Sequence, residues 1–192
     1  MTYKPQFELQ EASCILTNKN DRTEKHGPNE ERLAVDLNFT FEANNKALSM
    51  FSTTLRGIIY QAETPKPGDL PMDDDNLSEL RNPELNPAKK GGNELSWAGG
   101  DITGATVRFH YGTTEKSHVV FDEAKVCKFH LICRPGGTVL IKFQVQVHPS
   151  ENDKEADKQL AFLSKALAIR ACTISITPPQ ASGTGETQAE AF

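Results

Sequence analysis

Residues 33–42 show the clearest alternation of apolar and polar positions in the chain. Because successive side chains of a β-strand point to opposite faces of the sheet, this period of two predicts a strand with one buried face and one solvated face. The apolar positions are Leu33, Val35, Leu37, Phe39 and Phe41. A first strand is predicted from Phe7 to Leu16, and the polar residues 17–31 are expected to form the loop between the two strands.

A tight hairpin is predicted around residues 135–137, where Pro-Gly-Gly separates two apolar-rich segments. A loop of this composition suits a type I turn followed by a left-handed glycine, with a bulge at Gly137. A shift of one residue would place Lys142 beside Phe129, so the apolar pattern excludes it. On the apolar face this register pairs Cys133 with Val139, Leu131 with Ile141, Phe129 with Phe143 and Cys127 with Val145. On the outer face it pairs Ile132 with Leu140, His130 with Lys142, Lys128 with Gln144 and Val126 with Gln146.

Two helices are predicted from apolar residues at helical spacing, at about residues 46–60 and about residues 151–170. Asn44 or Asn45 can cap the first helix, and Ser150 offers a cap for the second. Further strands are expected at residues 94–98, 103–111, 117–121 and 172–176. Together these elements predict an α+β fold that is mainly an antiparallel β-sheet with two helices.

The predicted domain organisation is a single α+β domain over residues 1–179, followed by a flexible C-terminal tail over residues 180–192. Residues 62–93 are rich in proline and glycine and form a long excursion from the sheet, in which a helical turn is expected near residues 77–80. A connection of this length without regular structure is usually functional or disordered.

Charge and hydropathy limit the classes of partner. The formal net charge of −5 provides no bulk basic field for duplex DNA, so nucleic-acid binding would require a local patch. The chain has no apolar run of about 18 residues, and its N-terminus lacks the apolar stretch of a signal peptide. A cytoplasmic protein without a membrane partner is therefore expected.

Catalytic, cofactor and metal motifs are not found in the sequence. It contains no G-x-S-x-G elbow, no P-loop and no G-x-G-x-x-G, and its four cysteines form no CxxC pair. The chain is therefore predicted to be non-enzymatic and to bind no cofactor or metal. The cysteines are interpreted as small buried hydrophobic residues: Cys14, Cys127, Cys133 and Cys172.

The outer face of the predicted hairpin is basic and rich in amides, and it is the candidate binding surface. A surface with cations and a few rings suits single-stranded nucleic acid, because cations follow the phosphates and rings stack on the bases. The candidate binding residues are Arg108, His110, Lys128, His130, Lys142, Gln144, Trp97 and Tyr111. An alternative interpretation is that these polar side chains only solvate the open face of an antiparallel sheet.

The last dozen residues combine Glu186, Glu190 and Phe192 with glycine, serine and threonine. This segment resembles the tails of single-stranded-DNA-binding proteins of bacteria and phages, and the chain as a whole resembles phage and prophage accessory proteins. The resemblance implies that Phe192 recruits a protein partner and that a phage-encoded chain would act in the host cytoplasm. The rival interpretation is a protein-binding module, such as an assembly subunit or an inhibitor of a host factor, with no nucleic-acid role.

Overall fold

The computed structural model describes residues 6–25, 31–63, 77–86, 94–112, 114 and 117–179. The strands in these residues are β1 (Leu9–Lys25), β2 (Glu31–Asn44), β3 (Tyr60–Ala62), β4 (Leu77–Leu80), β5 (Leu95–Ser96), β6 (Ile102–His110), β7 (Val119–Cys133), β8 (Thr138–Val147) and β9 (Ala171–Thr177). The α-helices are α1 (Leu55–Ile59) and α2 (Asp153–Ile169). The structure is therefore mainly β with few helices, as the sequence pattern predicts.

Six strands close into an antiparallel barrel in the order β7-β6-β9-β1-β2-β8, with β8 pairing back to β7. The short strand β5 adds to β7 beyond the end of β6. Closure leaves these six strands with an inner face for the core and an outer face for solvent. The inner face holds the alternating apolar residues of β2, of which Val35, Leu37 and Phe39 are fully buried.

Aromatic side chains fill the barrel. Phe129 lies with its ring centroid 5.1 Å from that of Phe7 and 5.3 Å from that of Phe51, both in edge-to-face geometry. Phe143 stacks on Phe39 at 5.4 Å and contacts Phe7 at 5.0 Å. Such ring pairs add about 0.5–1.5 kcal/mol each to the free energy gained by burying their area.

The turn between β7 and β8 is fastened to the elements that cover this end of the barrel. The buried Tyr60 places its hydroxyl 3.0 Å from the carbonyl oxygen of Arg134 and 3.1 Å from that of Thr138. The backbone N–H of Gly136 donates to the carbonyl of Ser78, and that of Asn45 donates to the carbonyl of Gly137. At the other end α2 packs its buried Leu163 into the core.

The turn itself differs from the predicted type. The predicted pairing of Cys133 with Val139 is present, and Gly137 has a φ of 77°. Gly136 also has a positive φ, 84°, at the position where a type I turn requires a negative one. The loop is therefore closer to a type II turn followed by the bulge, which only glycine at both positions accommodates without strain.

Several predicted elements are corrected by tertiary pairing. Residues 17–25 are not loop but continue β1, because residues 18–25 pair with residues 31–38 of β2. Residues 77–80 are strand β4 rather than a helical turn, since they pair with β3. The strand predicted at 117–121 is the start of the continuous 15-residue strand β7.

Both predicted helices have different boundaries. The first is divided into a 3-10 helix at Asn45–Met50 and the single turn of α1, because the buried Phe51 turns into the core between them. Asn44, one of the two predicted caps, caps the 3-10 helix: its side chain accepts a hydrogen bond from the Lys46 N–H. The N-cap of α2 is Asn152 rather than Ser150, because the Asn152 carboxamide accepts from the second and third N–H groups of the helix.

Candidate functional site

A bulge in β7 changes the predicted register partway along the hairpin. Pairing from Cys133 to His130 follows the prediction, with His130 opposite Lys142. On the N-terminal side of His130 the register of the ladder shifts by one residue, so that Cys127 lies opposite Gln144 and Val126 opposite Val145. The predicted pairs of Cys127 with Val145, Lys128 with Gln144 and Val126 with Gln146 are therefore wrong.

Cys127 consequently belongs to the outer face, although its neighbours cover it. Its thiol lies 3.8 Å from the Gln144 side-chain oxygen, and burial raises its pKa. The other three thiols are also shielded, and burial raises the pKa of Cys14 to about 12 and those of Cys133 and Cys172 to about 11. Such thiols form little of the nucleophilic thiolate at neutral pH.

The outer faces of β2, β8 and β7 form a cleft of about 470 Å³, the β2–β8–β7 cleft. Its polar lining residues are Thr17, Asn38, Thr40, Glu94, Lys128, His130, Lys142 and Gln144. Four of the residues predicted from sequence, Lys128, His130, Lys142 and Gln144, thus line one depression that opens outward. Thr17, Asn38, Thr40 and Glu94 were not predicted, because only tertiary pairing of β2 with β8, of β1 with β2 and of β5 with β7 brings them beside the hairpin.

Lys128 occupies the bulge with a φ of 54°, a left-handed conformation that is unfavourable for a residue with a Cβ. Its side chain is exposed, and it makes no ion pair with any described residue. The bulge sets both Lys128 and His130 on the cleft side of β7. Strained backbone that aims a charged side chain into a depression is a pattern found at binding sites.

We expect Lys128→Gly to be more stable than Lys128→Ala by about 1 kcal/mol, because glycine adopts a positive φ without strain. Glu123 has the same φ of 54° on β7, so Glu123→Gly and Glu123→Ala should show the same difference. Arg108, an exposed residue of β6, should show the opposite order, with glycine less stable than alanine. Urea denaturation measures all three pairs, and equal stability of the two Lys128 variants would contradict the bulge geometry.

Glu94 partly neutralises the cleft. One of its carboxylate oxygens lies 3.2 Å from Lys142 Nζ, and the other lies 3.5 Å from His130 Nδ1. All three side chains remain about 40% exposed, at 42%, 41% and 37% for Lys142, His130 and Glu94. Ion pairs this exposed contribute little stability and break readily, so an incoming anion can displace Glu94.

The floor of the cleft is an amide network. Gln144 is buried, and its amide donates to Asn38 Oδ1 at 3.1 Å while its oxygen accepts from Gln146 at 3.4 Å. Gln144 was predicted as a binding residue, but its polar atoms are engaged by neighbouring side chains. It therefore braces the floor of the cleft, and the exposed basic side chains of the cleft are those of Lys128, His130 and Lys142.

Charges beside the cleft are paired. Lys125 lies 2.7 Å from Asp101, and this hydrogen bond is the main reason that the pKa of Lys125 is raised. Arg22 donates to Asp36 at 2.9 Å and also pairs with Glu24. His148 contacts Glu24 at 2.9 Å, and the pKa of Glu24 is lowered, first by this hydrogen bond and then by that from Arg22.

Arg108 and His110 do not join the cleft. Both lie on β6, which stands across the ring of strands from β2, and Arg108 pairs with Val120 near the start of β7. From Val120 to His130 the strand rises by roughly 3.3 Å per residue, which separates the two regions by about 30 Å. His110 instead contacts Ser175 Oγ at 2.8 Å on β9.

The two predicted stacking rings also lie elsewhere. Trp97 follows β5 opposite Phe129, so its ring points to the core side and packs 5.7 Å from Phe51. Tyr111 follows β6 and lies against α2, 5.5 Å from Phe162. Phe192, the predicted partner-binding residue, and most of the 62–93 excursion lie outside the described residues.

Comparison of the chain with protein-family models, curated proteins and solved structures finds no match in any of the three. In the described ranges, no three His, Cys, Asp or Glu side chains form a group suited to a metal ion. None of the helices in those ranges has the length and apolar character needed to cross a lipid bilayer.

Proposed function

We propose that the protein is a non-enzymatic binding protein whose β2–β8–β7 cleft holds single-stranded nucleic acid by its phosphate backbone. The observation that carries the proposal is that Lys128, His130 and Lys142 line one open cleft, with His130 directly opposite Lys142 on the neighbouring strand. Because the formal net charge of the chain is −5, nucleic-acid binding requires a local basic patch of this kind.

The charge distribution favours a single strand over a duplex. The two lysines and the imidazole of His130 can contact two or three phosphates. This number suits a short length of flexible strand laid along the cleft, whereas duplex-binding proteins present broader basic surfaces.

We propose no contacts between the cleft and the bases of the nucleic acid. Trp97 faces the core and Tyr111 lies against α2, so neither predicted ring reaches the cleft. Binding would therefore be electrostatic and would show little sequence preference, because phosphate contacts carry no sequence information.

The proposal is tested by titrating the protein into a fluorescent 12-nucleotide oligothymidylate at 50 and 200 mM NaCl. Release of counterions from two or three phosphates lowers the affinity roughly tenfold between these salt concentrations, from a slope of about −0.7 per phosphate contact. Fluorescence anisotropy reports the dissociation constant, and a duplex of the same length should bind more weakly.

Two results would overturn the proposal. One is an absence of binding at 50 mM salt, and the other is binding that does not change with salt. The first would leave the protein-binding module as the better hypothesis, with the same cleft or the partly exposed Ile132 and Leu140 beside it as the contact surface.

A further inference from the structure

A second pocket lies on the far side of the barrel from the cleft, between α2, the end of β6 and the start of β9. Its volume is about 220 Å³. Drug-sized ligands occupy roughly 300–1,000 Å³, so an occupant of this pocket would be smaller, with about one ring. Among the residues that the structure describes, it shares none of its lining with the β2–β8–β7 cleft.

The base of the pocket is apolar and largely aromatic. Phe162 of α2 packs edge-to-face on the buried Phe109 at 5.4 Å and on Tyr111 at 5.5 Å. Ile169 borders the same pocket and is 56% exposed. A ring entering here would find edge and face contacts with Phe162 and Tyr111 and would cover Ile169 from water.

The polar groups of the pocket favour an anion. Lys165 Nζ donates to Tyr111 Oη at 2.6 Å and lies 5.0 Å from the centre of that ring. No Asp or Glu is among the described lining residues, and Lys165 forms no ion pair with any described carboxylate. An ammonium group has three N–H donors, so Lys165 keeps two for a ligand after its bond to Tyr111.

We propose that this pocket is a binding site for a small aromatic carboxylate. The ring packs on Phe162 and Tyr111, and the carboxylate accepts hydrogen bonds from Lys165 Nζ. Charge-assisted hydrogen bonds at the rim of an apolar pocket fix the orientation of such a ligand. This site is independent of the proposed nucleic-acid cleft, and its test contains no nucleic acid.

The test uses 3-phenylpropionate titrated into the ¹⁵N-labelled full chain, followed by amide chemical shifts. We expect saturable shifts at α2 and at the start of β9, with a dissociation constant at or below the millimolar range. Lys165→Met, which keeps the aliphatic stem and removes the charge, should weaken binding about tenfold. Lys158→Met on the same helix removes an exposed lysine outside the pocket and should leave the affinity unchanged.

Three further ligands separate the contribution of the carboxylate charge to binding from that of the aromatic ring. The neutral amide 3-phenylpropionamide should lose about as much affinity as Lys165→Met causes, and 3-cyclohexylpropionate should bind more weakly than the aromatic acid. Acetate should give no saturable shifts. Equal binding of acid and amide, an unaffected Lys165→Met variant, or no binding of 3-phenylpropionate at millimolar concentration would each refute the site. The spectrum of each variant without ligand shows whether it is folded.

Discussion

Lys128→Glu/Lys142→Glu is expected to lower the affinity for oligothymidylate about 100-fold at 50 mM salt. In the proposed complex each lysine would contribute a charge-assisted hydrogen bond to phosphate, worth about 1.5 kcal/mol or more, and each new carboxylate would repel the strand. The two side chains line the same cleft, so a bound strand cannot avoid either of them. Fluorescence anisotropy measures the loss, and the dependence on salt should become nearly flat because few counterions are still released.

The matched control is Lys154→Glu/Lys158→Glu on α2, which makes the same change in net charge on exposed residues that do not line the cleft. It should change the affinity less than threefold. Glu94→Gln should act in the opposite direction and tighten binding, because it removes the carboxylate that pairs with Lys142 and His130. Similar losses in the two double variants would show that only total charge matters, and the cleft would then have no specific role.

Phe129→Ala is expected to lower the free energy of unfolding by about 3–5 kcal/mol, a larger stability effect than that of any other substitution proposed for this chain. Phe129 is 1% exposed and touches the rings of Phe7, Phe51 and Phe143, so truncation removes contacts on three sides. These partners come from different parts of the barrel and from the segment that covers its end, and they cannot all move into the space. Since small domains are stable by about 5–15 kcal/mol, the variant is expected to be marginal at 37 °C.

Urea denaturation monitored by circular dichroism measures this loss. Phe129→Leu keeps most of the volume and provides a folded comparison if Phe129→Ala does not fold. The control is Ile58→Ala, because Ile58 is 64% exposed and its truncation should change the stability by less than about 0.5 kcal/mol. A loss below about 1 kcal/mol at Phe129 would contradict the aromatic packing.

The turn between β7 and β8 is a part of the fold that the local sequence pattern predicts. Glycines at 136 and 137 permit a sharp reversal, and apolar residues opposite each other select one register, so Cys133 pairs with Val139 as predicted. The bulge at Lys128 carries no such signal. Lysine is an unfavourable residue at positive φ. The long strand β7 pairs with β6 and β5 along one edge and with β8 along the other, and these pairings hold Lys128 in that conformation.

The amino-acid sequence by itself determined the alternation that separates core from surface in β2 and β8, the tight turn and the polar identity of the outer face. These properties depend on neighbours two residues apart or on a single turn, where local sterics and burial are decisive. Only the tertiary structure decided that β8 pairs with β2, that β6 stands on the other wall, and that Glu94 reaches Lys142 and His130. Those contacts join residues tens of positions apart, and many pairings of similar strands would bury similar apolar area, so the whole barrel must close before one of them is selected.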